Sequence, residues 1–335
     1  MIGWMFPGQG SQRPAMAADL AACEELFKAA DPILGTDLAR VCAAASSSGW
    51  PPHLLQPAIY TTCVGAIRAL EERGLSPDAV VGHSLGEYAA LVGARVISFE
   101  DGLRLVSVRG RAMAAVGRAT PGGMAAVVGL EAEAVEESCS GIEGVWVANF
   151  NSSNQTAISG RDEPLARAAE ACRQAGAIRV VRLDVPTPSH TPLMAPAARE
   201  VAAALSEVVL KEPICPFYSI VDAAAHTDPS DIAALIVTAI TSKVRFAQTL
   251  HAMAADGVDG LVEVGPGRVL CGLVRHTLPG FTTAAVATDG EAEALVFSSR
   301  TGYLKASPNS PSQPPSSSNR LQVPARGSNI PEVSR

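Results

Sequence analysis

The sequence of 335 residues has few charged side chains, few aromatic ones and no long apolar run. It lacks the roughly 18 to 20 consecutive apolar residues that a membrane helix needs, so it predicts no membrane partner. A net charge of −7 argues against a dedicated nucleic-acid binder, which would carry a basic surface. Residues 1–10 have no cationic segment and reach Pro7 and Gly8 early, so we expect no signal peptide there.

The seven cysteines are scattered along the chain, and none forms a CxxC pair. In a chain without an export signal this pattern indicates reduced thiols, and it supports neither a disulfide framework nor a zinc site. We therefore expect a cytoplasmic protein.

Apolar residues make up 47% of the chain, which is enough to bury a large core in about two domains. The C-terminal stretch differs, because Ser or Pro occupies 14 of the 29 positions from 307 to 335. Such a composition cannot bury enough apolar surface to offset the entropy lost on ordering. We expect residues 306–335 to form a disordered tail or linker, with the ordered part ending between residues 290 and 305.

Over most of the chain, short apolar runs alternate with Ala-rich helical patterns. Strands are predicted at residues 2–6, 79–81 and 261–264, and helices at residues 15–30, 56–73 and 87–94. This alternation favours an α/β fold, with a parallel sheet covered by helices on both faces.

The pattern changes between residues 120 and 190, where the predicted order is β-α-β-β-α-β. The strands are predicted at residues 124–128, 145–148, 155–159 and 179–185, and the helices at residues 131–138 and 164–174. This order is typical of a ferredoxin-like module. We predict a small domain, residues 120–190, inserted into a large α/β domain made of residues 1–119 and 191–290.

The segment GHSLGE, residues 82–87, follows a predicted strand and opens a predicted helix. In that context the pattern Gly82-x-Ser84-x-Gly86 is typical of a nucleophile elbow, a tight turn that presents a serine above a sheet. The amide of Leu85 would then lie at a helix N-terminus, where it can donate to an oxyanion. The alternative is an ordinary turn that contains a serine, and the strand–helix context favours the nucleophile.

A serine nucleophile needs a base, and the chain has six histidines. His83 adjoins Ser84, but neighbouring side chains on a sharp turn point apart. His190 is favoured because it lies where the chain returns from the small domain, facing a cleft of the kind that binds ligands. Sequence spacing alone does not exclude any of the other histidines as the base.

The glycine-rich segment MFPGQGSQ, residues 5–12, follows the first strand. It has no lysine after its glycines, so it is a weak match to a phosphate-binding loop. Two other roles are possible for this segment. The backbone amide of Gln9 could donate to the same oxyanion as the amide of Leu85, or the segment could be an ordinary structural loop.

Five segments together resemble the malonyl-CoA:acyl carrier protein acyltransferases of fatty-acid and polyketide synthesis. They are FPGQGSQ (residues 6–12), GHSLGEYAAL (82–91), RGRAM (109–113), PSHTPLM (188–194) and EVGPGRVL (263–270). They occur in the family's order, and the resemblance covers about residues 1–285. The resemblance implies an α/β-hydrolase-like large domain with a ferredoxin-like insertion, which agrees with the pattern above.

The resemblance also implies roles for individual residues. Ser84 matches the nucleophile that carries the acyl group, and His190 matches its general base. A main-chain carbonyl orients this histidine in the family, and the corresponding residue here is Ala239, where many relatives have Gln. The oxyanion amides match Gln9 and Leu85. A glutamine that lines the pocket matches Gln56.

Arg109 matches the arginine with which family members hold the free carboxylate of a malonyl group. A planar guanidinium can give a carboxylate two parallel hydrogen bonds, which lysine cannot imitate. Without an anion, a buried guanidinium would be costly. We therefore expect malonyl-CoA as substrate. An α-substituted malonyl-CoA is also expected to fit, because the small Ser189 before His190 leaves room for a branch.

The expected reaction transfers the acyl group from coenzyme A to the phosphopantetheine thiol of holo-acyl carrier protein, in fatty-acid or polyketide biosynthesis. Coenzyme A is part of the substrate, and we expect neither a metal nor a redox cofactor. One alternative is an acyl-carrier thioesterase that uses the same Ser84 and His190 with water as acceptor. A second is a non-catalytic docking domain of a synthase, which the Ser/Pro-rich tail suggests.

Overall fold

A computed structural model describes residues 1–43, 50 and 52–300. The strands in this part of the chain are β1 (Ile2–Phe6), β2 (Ala79–Gly82), β3 (Gly122–Val128), β4 (Val145–Ser152), β5 (Gln155–Arg161), β6 (Arg179–Arg182), β7 (Phe217–Tyr218), β8 (Ala225–His226), β9 (Gly260–Val264) and β10 (Thr282–Val286). The predicted tail, residues 306–335, lies outside the described residues.

The helices alternate with these strands over most of the chain. They are α1 (Cys23–Leu34), α2 (Leu38–Cys42), α3 (Pro52–Glu71), α4 (Gly86–Gly93), α5 (Phe99–Ala119), α6 (Ala132–Cys139), α7 (Asp162–Gln174), α8 (Ala195–Leu205), α9 (Pro229–Thr238), α10 (Phe246–Ala255), α11 (Val269–Thr277) and α12 (Asp289–Arg300), with a 3₁₀ turn at Pro192–Met194. Among the described helices, none combines the length and apolar character needed to cross a membrane.

The larger sheet has six strands in the order β10-β9-β1-β2-β7-β8. All its neighbours are parallel except the short pair β7 and β8. Successive side chains of β1 point to opposite faces, so Trp4 and Phe6 enter one core while Met5 enters another. A parallel strand that is buried on both faces is apolar throughout, as β1 is. The parallel sheet with alternating helices confirms the predicted α/β fold.

The smaller sheet is formed by strands that all lie between residues 122 and 182. Its element order is β3-α6-β4-β5-α7-β6, and its four strands pair antiparallel in the order β4-β5-β3-β6. The helices α6 and α7 supply Val135, Leu165 and Cys172 to a core of its own. This is the predicted ferredoxin-like arrangement.

The prediction for the first helix was wrong. The helix expected at residues 15–30 begins only at Cys23, because Ala15 and Ala17 have positive φ values of 54° and 78°, which a right-handed helix does not allow. At the other end, α12 runs from Asp289 to Arg300, beyond the bound of residue 290 given to the large domain. Ala292 and Leu295 of this helix are buried in the main core.

Candidate active site

Ser84 lies on the tight turn between β2 and α4, at the carboxyl end of a central strand. Its φ of 56° is left-handed, a strained conformation for a residue with a side chain. A Cβ at Gly82 would lie 2.0 Å from the Glu87 amide nitrogen, and one at Gly86 would lie 1.9 Å from the Phe6 carbonyl oxygen. Both glycines are therefore required by the close approach of the turn to its own helix and to β1, as expected of a nucleophile elbow.

The structure brings His190 to Ser84, although the two are 106 positions apart. The Ser84 Oγ and His190 Nε2 atoms are 2.7 Å apart. On the other side of the ring, His190 Nδ1 lies 2.9 Å from the carbonyl oxygen of Ala239. A carbonyl only accepts, so Nδ1 carries the proton and Nε2 is left to accept the hydrogen bond from the Ser84 hydroxyl.

Three effects lower the pKa of His190 to about 3. The largest is burial, which disfavours the charged imidazolium, followed by the positive charge of Arg109 and then by the nearby His83. His190 is only 4% exposed. The imidazole is therefore neutral near pH 7 and can take a proton from the serine.

Arg109 lies on the buried face of α5 and is 3% exposed. It donates from Nη1 to Gln56 Oε1 and from Nη2 to Ser84 Oγ, both at 2.9 Å, and it lies over the Tyr88 ring at 5.8 Å from the centroid. Among the ion pairs of the described residues, none includes Arg109. Burial lowers the pKa of Arg109 from its ordinary value, and the nearby Tyr88 and Glu87 act in the opposite direction.

The amides of Gln9 and Leu85 come from two loops that touch. A Cβ at Gly8 would lie 2.5 Å from the His83 carbonyl oxygen and 3.6 Å from the Leu85 nitrogen, so glycine is what lets the first loop rest on the elbow. In the hydrogen-bond network of the described residues, neither the Gln9 nor the Leu85 amide has an acceptor. Two free amides beside a serine are suited to stabilising an oxyanion.

A cavity of about 280 Å³ opens between the two sheets, and both Ser84 and His190 line it. Its apolar walls include Met113, Met124, Ala157, Leu183 and Val185. The small sheet contributes the polar residues Asn149, Asn151 and Gln155 to its lining. Within the described residues, no group of three or more His, Cys, Asp or Glu side chains is arranged to hold a metal.

Two residues of the elbow have surroundings that the sequence did not predict. Glu87 is 1% exposed, and burial raises its pKa to about 8. His83 points to the small sheet, where its Nε2 lies 2.9 Å from Asn151 Oδ1. A glutamate inside the apolar run GEYAALVG signals a buried carboxyl, but no local pattern indicates that His83 meets Asn151.

Comparison with known proteins shows what the chain resembles. The model of the family described as "Acyl transferase domain" matches residues 3–300. A "Malonyl CoA-acyl carrier protein transacylase" of Salmonella typhimurium is 39% identical over 298 residues, covering 85% of this chain and 95% of the relative.

Solved structures give the same result. One, described as "type II PKS acyl-carrier protein in complex with its malonyl-transacylase", matches with a TM-score of 0.84 and 35% identity, covering 88% of this chain and 99% of that one. An acyl carrier protein S-malonyltransferase from Vibrio cholerae matches with a TM-score of 0.83 and 37% identity, over the same shares of the two chains.

Proposed function

The chain belongs to the acyl transferase domain family, and we propose that it transfers a malonyl group from coenzyme A to the phosphopantetheine thiol of an acyl carrier protein. One set of contacts carries this proposal. The Ser84 hydroxyl lies within hydrogen-bond distance of both a neutral imidazole and a buried guanidinium that takes part in no ion pair of the described residues. The imidazole can act as the base that acyl transfer needs, and the guanidinium can bind the free carboxylate of a dicarboxylic acyl group.

In the first half-reaction, the malonyl carboxylate takes two hydrogen bonds from Arg109 and places the thioester carbonyl next to Ser84. His190 accepts the serine proton as Oγ attacks that carbonyl. The amides of Gln9 and Leu85 stabilise the tetrahedral oxyanion. Its collapse releases coenzyme A, whose thiolate takes the proton from His190, and leaves a malonyl ester on Ser84.

Substrate binding also adjusts the base. With no anion bound, the charge of Arg109 contributes to the low pKa of His190. A carboxylate on Arg109 offsets that charge and makes the imidazole a better proton acceptor. The carboxylate thus both positions the acyl group and strengthens the base that activates the nucleophile.

In the second half-reaction, the thiol of holo-acyl carrier protein enters from the cavity mouth. His190 accepts its proton, the sulfur attacks the ester carbonyl, and Ser84 leaves with the proton from His190. The thioesterase alternative, in which water replaces this thiol, is not supported, because the relatives reported above are transacylases. A purely docking role is not supported either, since the family is one of acyl transferases.

The proposal includes α-substituted malonyl groups, because the cavity walls beside the nucleophile are apolar side chains such as Met113 and Val185. It requires no metal or redox cofactor, since serine, imidazole and amide groups supply the nucleophile, the base and the oxyanion donors. We place the reaction in the cytoplasm, in support of which all seven cysteines are free and buried.

The test is the mass of the protein after mixing with malonyl-CoA. Wild-type protein should gain one malonyl group and lose it when holo-acyl carrier protein is added, with the same mass appearing on the carrier. Ser84→Ala should gain nothing, whereas Ser206→Ala, an exposed serine outside the cavity, should behave as wild type. A malonyl adduct on Ser84→Ala at the wild-type level would refute the nucleophile assignment, and rapid loss of the adduct without carrier would favour hydrolysis.

A further inference from the structure

Strand β4 is the edge strand of the small sheet, and its outer edge holds the loop that orients the base. The Val244 amide donates to the Ala148 carbonyl, and the Phe150 amide donates to the Val244 carbonyl, both at 2.8 Å. Val244 belongs to the segment that starts at Ala239, whose carbonyl accepts from His190. The position of the His190 ring is therefore tied to β4.

One residue further along, β4 also contacts the elbow. Asn151 is 9% exposed, and its Nδ2 donates to Gln155 Oε1 at 3.0 Å. This bond directs the Asn151 amide so that its oxygen faces His83 Nε2 at 2.9 Å. Because an amide oxygen only accepts, the imidazole of His83 is the donor.

His83 is held in this orientation from a second side. Its ring meets the ring of Phe246 edge to face, with centroids 5.2 Å apart. Burial lowers its pKa, so the ring is neutral and keeps a single donor. In the hydrogen bonds of the described residues, His83 is joined neither to Ser84 nor to His190, so the acyl-transfer steps leave it without a role.

We propose that His83 is a positioning residue: by donating to Asn151 it fixes β4 against the elbow, and through the Val244 contacts of β4 it sets where the His190 ring lies relative to Ser84 Oγ. This proposal rests on the acyl transfer proposed above. The position of Ser84 is fixed by its own turn. His190 lies on a distant segment, so contacts with other elements must hold its ring at the right distance from Ser84. Strand β4 is suited to that task because it touches both.

The test is the single-turnover rate at which malonyl-CoA acylates Ser84. His83→Phe keeps a ring against Phe246 but removes the donor, and it should slow acylation by roughly tenfold to hundredfold at saturating substrate, the penalty of a displaced base. The fraction of protein that is finally acylated should stay at the wild-type level. His83→Gln carries an amide donor near the position of Nε2 and should restore most of the rate.

The partner residue supplies an independent arm. Asn151→Ala should slow acylation comparably, and the double variant should be no slower than the slower single variant, because both changes remove the same bond. His251→Phe, which alters an exposed histidine on α10, is the matched control and should keep the wild-type rate.

Two outcomes would overturn the proposal. The first is acylation of both His83→Phe and Asn151→Ala at the wild-type rate. The second is a reduced acylated fraction with an unchanged rate, which indicates a role in stability alone. Failure of the proposed function itself looks different, because the wild-type protein would then not be acylated.

Discussion

The Ser84 hydroxyl is shared between two groups of opposite character. It donates to the neutral imidazole of His190 and accepts from the guanidinium of Arg109. The Arg109 contact stabilises negative charge on the serine oxygen, while the same cation opposes protonation of the imidazole. The chemistry of the site thus depends on whether Arg109 faces the serine or a bound carboxylate.

We expect Arg109→Ala to depress malonyl transfer far more than acetyl transfer. Only the malonyl group has a carboxylate to lose its partner, a loss on the order of 2 to 4 kcal/mol in transition-state stabilisation. The measurement is kcat/KM for the two coenzyme A thioesters. Arg104→Ala, on the exposed side of the same helix, is the control, and equal losses for both thioesters would contradict the carboxylate clamp.

The low pKa of His190 predicts an unusual pH profile. Because the free-enzyme imidazole stays neutral well below its ordinary pKa of 6.5, kcat/KM for acetyl-CoA should show no acid limb from His190 between about pH 8 and about pH 5. Removing Arg109 takes away the second largest of the effects that lower this pKa. In Arg109→Ala the limb should therefore move to higher pH, and an acid limb near 6.5 in the wild type would be inconsistent with the site as described.

Helix α4 has the proposed nucleophile, Ser84, just before its N-terminus and a buried acid, Glu87, in its first turn. Glu87 Oε1 has no hydrogen-bond partner among the described residues, and burial is the largest cause of the raised pKa of Glu87. A carboxyl with a raised pKa in the folded state holds a proton that the unfolded chain has released. This element therefore makes the stability of the protein depend on pH.

We expect Glu87→Gln to become progressively more stable than wild type as pH rises from about 4.5 to about 8. Over that window the folded wild type must either keep a proton or bury a charge, which lowers its free energy of unfolding by an amount on the order of a few kcal/mol. Urea unfolding at several pH values measures the difference in free energy of unfolding between the variant and the wild type. Because both proteins contain His190, its contribution cancels in this difference. Glu72→Gln, at an exposed position, is the control, and a pH-independent difference would disprove the assignment.

In the molecule as a whole, the site belongs to neither sheet. The proposed nucleophile and oxyanion amides come from the parallel sheet, several polar residues of the cavity lining come from the antiparallel sheet, and the proposed base lies on the segment that returns from one to the other. The contacts of β4 with Val244 and of Asn151 with His83 join the two parts. The proposed acyl transfer therefore requires that both parts fold and pack together.

Removing residues 307–335 should leave acyl transfer and the midpoint of thermal unfolding unchanged. The elements that build the site and the cavity all lie before α12, and the tail composition offers little apolar surface for a core. Comparing the shortened and full-length proteins in the carrier assay checks this. A large loss of transfer would show that the tail takes part in the reaction or in carrier binding.

Local sequence was enough to predict the elbow, the β-α-β-β-α-β order and the α/β class, because the glycine spacing and the apolar alternation act over a few neighbouring residues. The same reasoning failed at residues 15–22, where an Ala-rich composition suggests a helix that the backbone does not form. It also did not identify α12, in which Ala292 and Leu295 are the buried side chains among residues 289–296.

The long-range contacts of the site could not be derived from local patterns. Family resemblance favoured His190 and Ala239, but their meeting with Ser84 depends on how two sheets pack across 106 positions of chain. The tie between His83 and Asn151 left no trace in the sequence at all. A turn is fixed by the sterics of its own few residues, whereas a contact between distant segments is fixed by the sum of the packing that carries them there.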